Sequence, residues 1–201
     1  MEAWDIIVIG DGPAALRSAA QSAKHGAKTL LISSSALGGG DNSALDGLAA
    51  SIQEMNNRGH REDTIKSGYF LCDQDIVASK TSSAIDEMNH LEKAGVVFSR
   101  DSKGLPSTHK GIGHNSPRLV DAGDASIRDI QQVLEEQCMK HGVVRRSDQL
   151  PVMLVETNQK VDGIVTLDMI NGQFVAIQTK ALIIADGGYE GLFQGTSIGF
   201  G

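Results

Sequence analysis

The chain has 201 residues, 40% of them hydrophobic and 21% charged, enough to bury a sizeable core in one domain or one domain plus a fragment. Its formal net charge of -7 argues against nucleic acid or an anionic membrane surface as a partner. No apolar run reaches transmembrane length, so direct membrane insertion is not expected. Met1-Glu2-Ala3 leads straight into an apolar run and leaves no room for a signal peptide.

Residues 6–9 are an unbroken apolar, β-branched run, the pattern of a strand buried on both faces of a parallel sheet. Gly10-Asp11-Gly12-Pro13-Ala14-Ala15 follows, then an alanine-rich helix and a second strand ending at Ser33. Gly10 suits a tight turn, Gly12 lets a pyrophosphate approach the backbone, and Pro13 fits the first helical turn. The N–H groups at the helix start, Ala14 among them, then face the phosphates. Strand, glycine turn, helix and strand in this order open a dinucleotide-binding domain. After the second strand, Ser33-Ser34-Ser35 stands where an acidic residue usually holds a ribose. Residues 36–41 form a loop with Gly38-Gly39-Gly40, read as a second backbone cradle for the cofactor.

Residues 43–55 look helical, with an interruption at Gly47, and residues 56–73 read as a polar surface connection. A helix is expected over 75–94, with Ile85, Met88 and Leu91 on one face and Gly95 as its stop. A short strand follows at 96–98, then a long loop over 99–123. The spacing of Ile127, Ile130, Val133, Leu134 and Cys138 predicts a helix over 124–141 with Cys138 in the core. Val143-Val144 is expected to be the third parallel strand. Residues 152–155, 163–167 and 174–177 read as a β-meander, about 152–179, with turns at Asn158 and Asn171-Gly172. A last buried strand at 181–185 ends in Asp186-Gly187-Gly188. The expected fold is therefore α/β, a Rossmann-like parallel sheet carrying an inserted antiparallel meander.

Cys72 and Cys138 have neither C-x-x-C nor metal-ligand spacing, and are expected to be free, reduced thiols of a cytoplasmic protein. His60, His109 and His114 read as solvated loop histidines. Glu135-Glu136, Asp73 and Asp75 read as solvated faces or helix caps.

The chain resembles the flavoprotein subunit of the succinate dehydrogenase and fumarate reductase family over nearly its whole length. The resemblance rests on Asp63-Thr64-Ile65-Lys66-Ser67-Gly68-Tyr69-Phe70-Leu71-Cys72-Asp73-Gln74-Asp75, on residues 91–100, on Gln137-Cys138-Met139-Lys140-His141-Gly142, and on Ala185-Asp186-Gly187-Gly188-Tyr189. It implies FAD, with Gly10, Gly12, Pro13 and Ala14 on the pyrophosphate and Ser33 and Ser34 near the adenosine ribose. It further implies Gly39, Gly40, Leu45, Asp46 and Gly47 near the flavin, with Ala185, Asp186, Gly187 and Gly188 closing over the cofactor. Three departures stand out. No histidine lies between His25 and His60, and Gly40 takes the slot of the family's flavin-linking histidine, so FAD is expected to be noncovalent. Asp46 and Asp186 replace uncharged residues near the flavin; at an effective dielectric near 20, a charge about 6 Å away costs a reduced, anionic flavin on the order of 2–3 kcal/mol. The capping domain that follows in the family, with its substrate-binding residues, cannot be mapped onto the chain, which therefore reads as an FAD-binding domain incomplete at its C-terminal end, with no catalytic residue of its own. The resemblance also implies an iron–sulfur partner subunit and a peripheral place on the inner face of a membrane. A soluble L-aspartate oxidase or fumarate reductase relative, and a degenerate FAD-binding or interaction paralogue without turnover, are the alternatives.

Overall fold

The computed structural model describes residues 2–35, 47–52, 57–123 and 126–188. Two compact units are formed, one from 1–44 with 134–201 and the other from 45–133.

The first unit is built on a six-stranded sheet. Its strands are β1 (Glu2–Ile9), β2 (Thr29–Ile32), β5 (Val144–Arg146), β6 (Gln149–Thr157), β7 (Lys160–Asp168) and β8 (Phe174–Ile184), in the order β5-β2-β1-β8-β7-β6. β5, β2, β1 and β8 run parallel, whereas β6, β7 and β8 are antiparallel neighbours. The predicted parallel strand at 143–144 is thus present. The predicted meander is also present, but its third strand and the expected late strand at 181–185 are one continuous strand, β8. Residues 174–178 pair with β7 and residues 177–184 run along β1, so the backbone stays extended through Gln178 to Lys180. The β6–β7 turn is closed by Asn158 and Gln159, both left-handed at φ 51° and 62°, the backbone of a tight hairpin.

This sheet is not flat. Arg146 and Gln149 are three residues apart, a reach of at most about 11 Å, yet β5 and β6 are the outermost strands. In a flat six-stranded sheet they would lie roughly 24 Å apart. The sheet therefore curls until its ends meet: the Gln149 N–H donates to the Ser33 carbonyl at 3.0 Å, and the Met169 N–H donates to the Asp148 carbonyl at 2.8 Å. Trp4, Ile7, Ile9, Leu30, Ile32, Ile164 and Ile177 fill the inside of the curl. The opposite side of the parallel strands receives helix α1 (Pro13–Lys24), which buries Ala15, Leu16, Ala19 and Ala20. Small residues let it lie close to β1 and β2. Cys138, on helix α4 (Ser126–Lys140), is fully buried, as its place in the apolar stripe implied, and its thiol donates to the Leu16 carbonyl at 3.3 Å.

The second unit holds α2 (Arg58–Ser67), α3 (Gln74–Ala94) and a two-stranded antiparallel ribbon of β3 (Leu48–Ala49) and β4 (Leu119–Val120). It corrects three expectations. Leu48 and Ala49 are strand rather than helix, because their backbone pairs with β4. The polar stretch 56–73 contains α2, whose apolar content is too low to show a helical stripe; the helix is anchored instead by a buried carboxylate, Asp63. Residues 96–98 have no strand partner, although Val96 and Phe98 are buried and Val97 is exposed. The helix expected at 75–94 is α3, capped by Asp73, which accepts from the N–H groups of Asp75 and Ile76 at 3.0 and 3.1 Å.

Asp63 and Arg118 form the centre of this unit. Arg118 is fully buried, and its guanidinium donates to Asp63 Oδ2 at 2.7 Å. The Asn115 N–H donates to the same oxygen at 2.8 Å, and Arg118 also donates to Ser116 Oγ. Burial acts to raise the Asp63 pKa, but the Asn115 N–H and the Arg118 guanidinium outweigh it and hold the carboxyl below its ordinary range. The pair ties α2 to the segment entering β4, which makes the long loop over 99–123 a fastened one.

Asp63→Ala leaves the buried Arg118 charge uncompensated and is expected to cost about 3–5 kcal/mol in denaturant unfolding followed by circular dichroism. Because the folded pKa is depressed, the stabilisation is complete above about pH 4 and is lost as pH falls below it; the variant's stability should be flatter with pH in that window. In the native protein a thiol reagent should titrate half-buried Cys72 and spare Cys138, whose thiol is pushed up to about 11 by burial; the second thiol should react only on unfolding.

Candidate cofactor site

At the C-terminal ends of the parallel strands, β1 and β8 meet through their backbones. The Gly10 N–H donates to the Ile32 carbonyl at 2.8 Å, and the Ala185 N–H donates to the Ile9 carbonyl at 2.8 Å. Gly10 adopts φ 126°, and a Cβ there would stand 2.1 Å from the Ala185 oxygen and 3.2 Å from the Ala15 Cβ. No side chain fits. The glycine turn after β1 and the turn after β8 are therefore locked together.

Gly12 serves the opposite purpose. It is the N-cap of α1, followed by Pro13, and it offers no side chain to the first-turn amides. The first turn carries no acidic residue either. Among the described residues, a Cβ on Gly12 would meet nothing within 4 Å. Among the described residues, the first-turn N–H groups, beginning at Ala14, are thus left without a side-chain cap at the positive end of the helix, an arrangement that suits a phosphate.

The β2 loop is held by its own hydrogen bonds. Ser33 is buried, its hydroxyl donates to the Ser35 carbonyl at 2.9 Å, and its N–H donates to the Arg146 carbonyl. Its proton is thus spent inside the loop, while Ser34 is exposed. The residue that sequence reasoning missed is Asp11: its carboxylate accepts a hydrogen bond from Ser35 Oγ across 24 positions of sequence. The unusual acid between two cradle glycines was the available signal.

Asp186, Gly187 and Gly188 lie on the exposed turn after β8, with Gly187 at φ 100°. Gly47, in the second unit, has φ 151° and its Cα packs where a Cβ would be 2.3 Å from the Val120 carbonyl. Gly39, Gly40, Leu45 and Asp46 lie outside the described residues. Of the histidines read as solvated loop residues, His60 lies on α2 and His114 does not face solvent freely: the Nδ1 of each is buried, and burial, with the Arg118 charge, lowers the His114 pKa. His109 is half-exposed and pairs with Asp121 at 3.0 Å. No group of three or more His, Cys, Asp or Glu suited to a metal occurs among the described residues.

The matched family model is the FAD binding domain, over residues 5–198. The chain belongs to this family. Among curated relatives of this FAD binding domain are the succinate dehydrogenase flavoprotein subunit of Rickettsia bellii, 30% identical over 96% of the chain and 35% of the relative, and the L-aspartate oxidase of Agrobacterium fabrum, 33% identical over 96% of the chain and 37% of the relative. Among solved structures, E. coli quinol fumarate reductase superposes with a TM-score of 0.85 at 27% identity, covering 96% of the chain and 34% of that one. The chain spans about a third of the length of the curated relatives it matches. The Rossmann-like sheet with its meander is thus the family's FAD-binding fold, and the uncapped first turn of α1 at Gly12 fits the cofactor's pyrophosphate.

The two glycines separate binding from folding. Gly12→Ala is expected to leave unfolding stability within about 0.5 kcal/mol while weakening FAD binding by roughly tenfold or more, read by flavin fluorescence titration. Gly10→Ala is expected to lower the unfolding midpoint as well, since its Cβ collides with backbone.

Proposed function

We propose that this chain holds FAD noncovalently as the FAD-binding part of an oxidoreductase acting on the C2–C3 bond of a dicarboxylate. The observation that carries the reading is the joined pair of turns, Gly10 against Ala185, beside the open first turn of α1. Gly12, Pro13 and Ala14 would hold the pyrophosphate, the β2 loop the adenosine, and 185–188 the flavin side. FAD, when bound, supplies the two-electron redox chemistry. The chain's own residues bind and orient it, neutralise its phosphates with helix amides, and set its electrostatic surroundings through Asp186 and Asp46. None of the 201 residues is assigned a role in binding or protonating the dicarboxylate.

The unbroken stretch 63–75 favours a complex-bound subunit, with an iron–sulfur protein as electron partner and a peripheral, cytoplasmic position on a membrane. None of the described helices is long and apolar enough to cross a membrane. The match to L-aspartate oxidase at 33% identity supports a second reading, a free-standing oxidase relative. An iron–sulfur protein that copurifies with the chain separates the two.

An absorbance spectrum of the purified protein before and after acid precipitation tests the cofactor reading. Flavin bands moving to the supernatant are expected. Flavin retained in the pellet would establish a covalent link and overturn the noncovalent assignment; no flavin after reconstitution with FAD would overturn the binding function. Asp186→Thr is expected to raise the flavin midpoint potential by roughly tens of millivolts, measured by dye-coupled titration, whereas an unchanged potential would remove Asp186 from the flavin's surroundings.

A further inference from the structure

We propose that Asp11 is the acceptor for the adenosine ribose hydroxyls of bound FAD, acting from the glycine turn where other dinucleotide sites use an acid at the end of the second strand. The proposal rests on the FAD reading above and adds to it the residue that reads the ribose.

A ribose edge presents two hydroxyl donors and needs an acceptor, best a charged one. The end of β2 has none to give: Ser33-Ser34-Ser35 carries no carboxylate. Ser33 is buried at 8% exposure with its hydroxyl turned onto the Ser35 carbonyl. Ser34 is exposed and neutral. Into this loop the structure brings the carboxylate of Asp11, held by the Ser35 hydroxyl. Asp11 and Ser35 are both half-buried, and the Ser35 hydroxyl is one of the groups that orient the carboxylate. A carboxylate accepts several hydrogen bonds at once, so the bond from Ser35 is compatible with a second donor from a ligand.

Position supports the same assignment. Asp11 lies between Gly10, which is locked against Ala185, and Gly12, which leads into the uncapped first turn of α1 proposed to hold the pyrophosphate. In FAD the adenosine ribose is attached directly to that pyrophosphate. A group reaching from Asp11 toward the β2 loop therefore runs along the path from phosphate to ribose. The negative charge also has a consequence for specificity: it favours a ribose with free hydroxyls and repels one that carries an added phosphate.

The test compares FAD with its 2′,3′-dideoxyadenosine analogue, binding each to the purified chain by fluorescence titration. The wild-type protein is expected to bind FAD about ten- to a hundredfold more tightly than the analogue, the range of a hydrogen bond to a charged acceptor. In Asp11→Ala that preference should shrink to about twofold or less, with affinity for the analogue unchanged. Asp11→Asn, which keeps a carbonyl acceptor, should retain part of it. Ser35→Ala, which frees the carboxylate without removing it, should reduce the preference less than Asp11→Ala, and it serves as the second variant should Asp11→Ala unfold, as read by apo-protein melting. An Asp11→Ala variant with the wild-type preference, or equal loss of affinity for both ligands, would overturn the assignment and make the Asp11–Ser35 bond a loop fastening. A wild-type protein that binds FAD without preference would overturn it too, leaving the FAD reading intact; one that binds neither ligand would overturn the FAD reading itself.

Discussion

The backbone contact between Gly10 and the Ala185 carbonyl governs the rest of the cofactor unit. Two strands separated by 175 residues end side by side, so close that a single methyl group would part them. Once they are joined, the turn after β1 can only project α1 forward, with its first-turn amides bare. Gly10 and Gly12 meet opposite surroundings: a Cβ on Gly10 would collide with the Ala185 backbone, whereas one on Gly12 would meet nothing within 4 Å among the described residues.

The sheet that carries this contact is held in shape by its own curl. Parallel strands must be covered on both faces. Here α1, with Cys138 of α4 against it, covers one face, while the meander swings round to cover the other. Ile164 and Ile177 of the meander meet Trp4, Ile7 and Leu30 of the parallel strands in one apolar cluster. The two-residue link from β5 to β6 is what makes the swing obligatory, and the bond from the Gln149 N–H to the Ser33 carbonyl closes it beside the β2 loop. Ser33 is therefore held from both ends of the sheet, its N–H on the Arg146 carbonyl and its own carbonyl on the Gln149 N–H.

The second unit relies on a different interaction. It has few apolar residues along α2, and its order comes from the buried Asp63–Arg118 pair with Asn115 and Ser116 around it. Such a pair contributes little net stability compared with an apolar core, but it is costly to leave half-made, and it specifies how α2 and the segment before β4 must sit. Asp63 opens the stretch 63–75 that carries the family resemblance, and its bond to Arg118 gives it a structural role independent of any chemistry.

The strand, glycine turn, helix and second strand, the α3 helix with its Asp73 cap, the core position of Cys138 and the meander were all legible from local patterns. Each depends on a period, a cap or a turn residue within a few positions. The sequence by itself thus determined the cofactor class of fold and the glycine turn between β1 and α1. Tertiary structure decided what depends on distant partners. Leu48 and Ala49 are strand because of Leu119 and Val120; α2 exists around a carboxylate whose partner is 55 residues away; the last meander strand and the core strand are one because two different neighbours hold its two halves. Asp11 belongs to the same group: nothing within its own turn shows that its carboxylate meets Ser35, since that contact exists only once β1 and β2 lie side by side.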